Sequence, residues 1–159
     1  MNGGLAPLLL LSTTIGLMFA FVVSRQAMTA LLGFGIAAVV GYAAPFDFAP
    51  NAVFAGLWLS MIAAAVLVYL PVARWSVLAL PVCLNAGFWL GAGAGLSGDR
   101  LVLMIGILAS FILFPARLLA HGRLNIALNV VASWMIAIAS LSLFVTLIPT
   151  PGYKPDHME

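Results

Sequence analysis

The sequence has very little charge. Six Lys and Arg and four Asp and Glu make up 6% of its 159 residues, against about 25% in an ordinary soluble domain. Ten charges cannot cover a chain of this length, so a water-facing surface is excluded and the outside must be lipid. The net charge of +2 carries no nucleic-acid signal, because the six cations are scattered singly rather than clustered among aromatics. Cysteine occurs once, at Cys83, which rules out an internal disulfide. In the middle of an apolar run it reads as a small packing residue.

Two histidines, His121 and His157, fall on opposite sides of the arrangement developed below. Zinc or a bis-histidine haem needs ligands that converge within a few ångströms, so no metal or cofactor is assigned. A Walker phosphate loop, a G-x-S-x-G elbow and an H-E-x-x-H helix are all lacking from the sequence.

What the chain does have is apolar length, with 65% hydrophobic residues. Six runs come close to the ~20 residues that cross a ~30 Å hydrocarbon core: Leu5 to Val23, Ala27 to Ala44, Ala52 to Leu70, Ser76 to Leu96, Leu101 to Ala120, and Asn125 to Ile148. The breaks between them, "SRQ", "PFDFAPN", "PVARW", "SGDR" and "HGRL", each hold a charge, a proline or a glycine. The runs are rich in Ala and Leu and lack the polar alternation of a barrel wall. They predict an all-α, polytopic membrane bundle of about six transmembrane helices in three hairpins. Residues 1–148 form its single domain and 149–159 a short polar tail; fewer spans with one re-entrant segment is the alternative.

Arg25, Arg74, Arg117 and Arg123 fall on one side of this arrangement, and Arg100 and Lys154 on the other. The positive-inside rule makes the first side cytoplasmic and both termini non-cytoplasmic. The uncharged start "MNGGLAP" has no basic n-region, so the first run is read as a permanent helix. The expected location is a plasma membrane, specifically the inner membrane of a bacterium. Arg25, Arg74 and Arg123 are also evenly spaced, 49 residues apart. Two spans with their short loops give that interval by membrane thickness alone, so it does not require an internal repeat.

Small residues recur at four-residue spacing: Gly33, Ala37 and Gly41 in the second run, and Gly87, Gly91 and Gly95 in the fourth. Each set lies on one side of its helix, where another backbone can come close. They are expected to be packing faces, within this chain or against another.

No Asp, Glu, Lys or His falls in the centre of a run, and such residues are what mark proton relays and ion paths. Arg117 lies near the break that contains Arg123. Together they are candidates to hold an anionic lipid headgroup or a partner carboxylate, although interfacial anchoring explains them as well. Among uncharged polar residues, Asn85 and Asn129 stand out, since an amide in hydrocarbon needs partners. They read as links between helices, or as the lining of a polar path; Pro81, one turn before Asn85, loosens the helix there.

Asp47 and Asp99 are the only acids before the tail. In "DFAPN" and "LSGD" the chain resembles the type IV prepilin peptidases, polytopic aspartyl proteases with an Asp upstream of Pro-Asn and a later G-x-G-D. The resemblance covers those two loops and implies an intramembrane peptidase using Asp47 and Asp99. Leu96 stands where the second motif has its first glycine, the interval from Asp47 to Pro50 is short, and the cation count puts both acids on the non-cytoplasmic side. Helix capping accounts for the same residues: Ser97 or Asp99 for the fifth helix, Pro50 and Asn51 for the third.

The expected function is therefore that of a non-catalytic accessory or structural subunit in a larger membrane complex. Its partners would be membrane lipids and other membrane subunits or further copies of itself, and no nucleic acid. A small oligomeric channel or transporter for a neutral solute is the alternative. The orientation is testable. With Cys83 replaced, a cysteine at position 74 should resist an impermeant thiol reagent added from outside, and labelling there would reverse the assigned sides.

Overall fold

A computed structural model describes residues 5–19, 24–43, 48–70, 72–98, 100–112 and 124–147. Among these residues there are six helices and no strand: α1 (Leu5–Phe19), α2 (Ser24–Ala43), α3 (Pro50–Leu67), α4 (Val72–Ser97), α5 (Arg100–Ile112) and α6 (Leu124–Leu147). The fold is an all-α, multi-pass membrane bundle. Four helices hold stretches long and apolar enough to cross a bilayer: Gln26–Ala43, Pro50–Leu67, Leu78–Ser97 and Ile126–Thr146. The described parts of α1 and α5 have 15 and 13 residues, a rise of roughly 20 Å each. The remaining lengths expected of those two spans, 20–23 and 113–120, lie outside the described residues.

Some boundaries differ from the sequence reading. Helix α2 begins at Ser24 and α4 at Val72, so Arg25 and Arg74 belong to first helical turns rather than to the breaks. A continued helix satisfies its own backbone groups as the chain enters hydrocarbon, which an unwound segment cannot do. The expected cap of α3 also shifts. Ala49 occupies the N-cap without a side-chain hydrogen bond and Pro50 takes the first turn, which leaves Asn51 inside the helix. Proline fits there because its missing N–H has no intrahelical partner at that position anyway. At the end of α4, Ser97 is not the cap of α5; its hydroxyl donates to the Ala94 carbonyl at 2.7 Å. Gly98, at φ 66°, ends α4 in the left-handed conformation that glycine adopts without a Cβ penalty.

Helix α1 is the buried centre. From Leu11 to Phe19 nearly every side chain is enclosed, among them Leu11, Ile15, Met18 and Phe19, and a helix surrounded on all sides is apolar all round. It packs chiefly on α3 and α5, and to a lesser degree on α4 and α6. The most extensive contact in the bundle is between α2 and α4, and α6 lies mainly against α3. The outer faces carry Leu32, Ile36 and Val39 on α2, Leu101, Met104 and Leu108 on α5, and Ile126, Trp134 and Leu141 on α6. These are the lipid-facing sides.

The α2–α4 contact is backbone against backbone. A Cβ added at Gly87 would collide with the Phe34 carbonyl oxygen, one at Gly91 with the Ala38 carbonyl oxygen, and one at Gly41 with the Phe88 carbonyl oxygen. The pairing advances along both chains together, Gly33 near Leu84, Gly87 at Phe34, Gly91 at Ala38 and Tyr42, so the two helices run parallel. Apolar side chains gain little by leaving lipid for protein; close approach instead gains dispersion contacts and short Cα–H to carbonyl contacts. Gly95 is looser, with the Tyr42 carbonyl oxygen 3.7 Å from an added Cβ, and Gly35 would meet nothing within 4 Å.

These differences predict a graded result. Gly91→Ala should destabilise the protein by about 1–3 kcal/mol through overpacking. Gly35→Ala should be neutral or stabilising by up to about 1 kcal/mol, because alanine is the better helix former. Thermal unfolding in mild detergent measures both; equal effects would contradict the close approach at Gly91.

Candidate functional site

Hydroxyl groups within the helices are satisfied locally. Ser12 donates to the Leu8 carbonyl at 2.9 Å, Thr13 to Leu9 at 2.7 Å, Thr14 to Leu10 at 2.7 Å, and Ser60 to Gly56 at 2.7 Å. This bond to the carbonyl one turn back lets Ser and Thr sit in hydrocarbon without a distant partner. Ser110 does the same with Gly106 at 3.3 Å. Among the described residues no buried side-chain nitrogen or oxygen lacks a hydrogen bond.

Asn85 makes the principal side-chain link between helices. Its Nδ2 donates to Ser60 Oγ on α3 at 2.7 Å, and its Oδ1 accepts from Trp89 Nε1, one turn further along α4, at 3.2 Å. Ser60 in turn donates to the Gly56 carbonyl, so indole, amide, hydroxyl and backbone form one chain of bonds across α3 and α4. Gly56 makes the geometry feasible: a Cβ there would overlap the Trp89 indole. The indole also lies against Phe48 and Phe88, with ring centroids 5.6 and 5.5 Å away. Tilted and edge-on rings of this kind add roughly 0.5–1.5 kcal/mol per pair beyond area burial.

Asn129 belongs to a second polar contact. The Tyr69 hydroxyl, just beyond α3, donates to the Asn129 backbone carbonyl at 2.6 Å and also meets Ser133 Oγ. Ser133 bonds the same carbonyl at 3.1 Å. This ties the end of α3 to the beginning of α6, as antiparallel neighbours require. Asn85 and Asn129 thus take part in different contacts. The sequence reading missed Trp89 and Tyr69; the four-residue spacing of Asn85 and Trp89 was the available signal, whereas Tyr69 pairs with residues 60 or more positions away and left none.

Of the six small residues at four-residue spacing, Gly41, Gly87 and Gly91 lie at the tightest part of the α2–α4 contact, with Ala37 beside Gly87 and Gly33 against Leu80 and Leu84. Gly95 lines a cavity of about 160 Å³ with Gly41, Tyr42, Phe48, Ala92 and Leu96, between the end of α2, the start of α3 and the end of α4. Two larger hollows are open, apolar grooves on the outer surface. One, of about 400 Å³, runs between α2 and α5 past Gly35; the other, of about 590 Å³, lies among α1, α3 and α6 beside Trp58 and Leu141. Asp47, Asp99, Arg117, Arg123, both histidines and the 149–159 tail lie outside the described residues. No group of three or more His, Cys, Asp or Glu able to hold a metal occurs among those described.

No family model, no curated protein and no solved structure matches the chain.

The α3–α4 link yields a direct prediction. In a double-mutant cycle of Ser60→Ala and Asn85→Ala, the coupling should be about 0.5–2 kcal/mol, the range for side-chain hydrogen bonds between membrane helices. The corresponding cycle between Ser60 and Ser133, which belong to different contacts, should be additive within about 0.5 kcal/mol. Unfolding titrations in mixed micelles supply both values.

Proposed function

We propose that the protein is a non-catalytic accessory or structural subunit, packed by its helix faces within a larger membrane complex in a bacterial inner membrane. The observation that carries this reading is where its polar groups bond, to carbonyls of their own helix and to neighbouring helices. Hydroxyls bond to carbonyls one turn back, and the amide of Asn85 bonds to Ser60 and Trp89. A solute path needs polar groups turned toward a lumen; here the hydroxyls, and one donor and one acceptor of the Asn85 amide, are spent on holding helices. The lipid-facing sides of α2, α5 and α6 are broad and apolar, and they offer whole helix lengths for contact with other membrane segments.

The cation distribution supports a topology with Arg25, Arg74, Arg117 and Arg123 toward the cytoplasm and both termini away from it. In that orientation Arg117 and Arg123 are available to an anionic headgroup or a partner carboxylate. The tail "PTPGYKPDHME" holds three prolines and a glycine, and its Tyr153, Lys154 and terminal acids suit contacts at the headgroup level.

Native mass spectrometry of the protein extracted gently from its own membrane tests the proposal. The expected result is a stoichiometric complex with at least one different membrane protein. A chain found without any foreign partner, together with solute flux in liposomes that falls in Asn85→Leu, would replace this reading with that of a small transporter.

A further inference from the structure

Asn85 is incompletely satisfied. A primary amide offers two N–H donors and an oxygen with two lone pairs. One N–H goes to Ser60 and one lone pair to Trp89; the second of each finds no partner among the described residues. The side chain is nevertheless turned outward, since Asn85 is exposed on the surface of the bundle. It lies nine residues from Ser76 and eleven from Leu96, the ends of the apolar run in the sequence. At 1.5 Å per residue this is roughly 13 Å inside the nearer end. An asparagine side chain is too short to reach headgroups from there, and hydrocarbon offers no hydrogen bonds.

The outward face continues along the helix. Leu78 and Pro81, seven and four residues before Asn85, are exposed with it. Positions 78, 81 and 85 follow the alternating three- and four-residue spacing that puts side chains on one seam of a helix pair. Helix α4 packs against both α2 and α3, and the strip of Leu78, Pro81 and Asn85 remains exposed among the described residues.

We infer that the strip is a self-association surface, in which Asn85 of one copy pairs with Asn85 of a second copy across a two-fold axis perpendicular to the membrane. Copies of one chain insert with the same orientation, so such an axis brings each residue near it opposite itself at equal depth. What is left on Asn85, one donor and one acceptor, is self-complementary: each Nδ2–H donates to the other copy's Oδ1. A single asparagine in an otherwise apolar seam also fixes register, because any slip breaks both bonds. The inference does not rest on the accessory-subunit reading, since a dimer can stand alone or inside a larger complex.

The full-length chain in liposomes tests it, with Cys83→Ala as background. Leu78→Cys, on the same seam, should form disulfide-linked dimers on oxidation, whereas Leu141→Cys, exposed on α6, should not. Energy transfer between labelled copies, followed as lipid is added, should show self-association weakened about tenfold by Asn85→Leu, in line with the loss of two interhelical hydrogen bonds. Ser60→Ala should change it less than about threefold, because it leaves the outward half of the amide in place. Monomers at every dilution, cross-links from Leu141 but not Leu78, equal effects of the two variants, or association through Leu78 with a different protein only, would each overturn the inference.

Discussion

The approach of α2 to α4 through Gly41, Gly87 and Gly91 is the contact on which the arrangement of the other helices depends. Carbonyl oxygens of Phe34, Ala38 and Phe88 occupy space that any Cβ would claim. In lipid no hydrophobic term favours bringing apolar side chains together, so shape and contact density decide which helices pair. With one side of α4 fixed against α2, its remaining sides are assigned as well: Trp89 and Asn85 meet α3, and Leu90 meets Gly106 of α5. The same principle places α1, where Gly106 and Gly93 admit Ser12 and Leu8 at close range.

Polar groups impose a second constraint, and the protein meets it in two ways. Serines and threonines return their protons to carbonyls of their own helix, which costs little; Ser60 and Ser133 also meet Asn85 and Tyr69. Asn85 and Tyr69 reach to other helices, and each of these contacts sits at a position where the choice of neighbour matters: Asn85 between α3 and α4, Tyr69 between the end of α3 and the start of α6. Their bonds add directionality that apolar packing lacks. Gly56 illustrates how the two constraints meet, because without its missing side chain the Trp89 indole would not lie where it can donate to Asn85.

A bundle organised in this way is closely packed along α2, α3 and α4 and apolar on much of its outer surface. In the proposed role, those outer sides meet other membrane segments. The broad apolar sides of α2, α5 and α6 and the exposed strip of α4 differ in kind. The former can be solvated by lipid chains without loss, whereas the latter carries an amide that lipid cannot solvate.

Composition and run length determined by themselves that the chain is a helical, multi-pass membrane protein, because a nearly uncharged sequence has no other stable surface and long apolar runs cannot satisfy their backbones in lipid except as helices. Spacing alone also showed that Gly87, Gly91 and Gly95 share one side of a helix. Which helix that side meets, that Gly91 is tight while Gly95 is loose, and that Asn85 bonds to Ser60 and Trp89 while Asn129 receives Tyr69 through its backbone, were decided only by the tertiary structure. Helix ends were also fixed there: Ala49 rather than Asn51 caps α3, and Arg25 and Arg74 fall within helical turns. The physical reason is the same in each case. Periodicity is a property of one helix, whereas neighbours, registers and exact ends follow from packing several helices at once, where a single Cβ or carbonyl on another segment determines what fits.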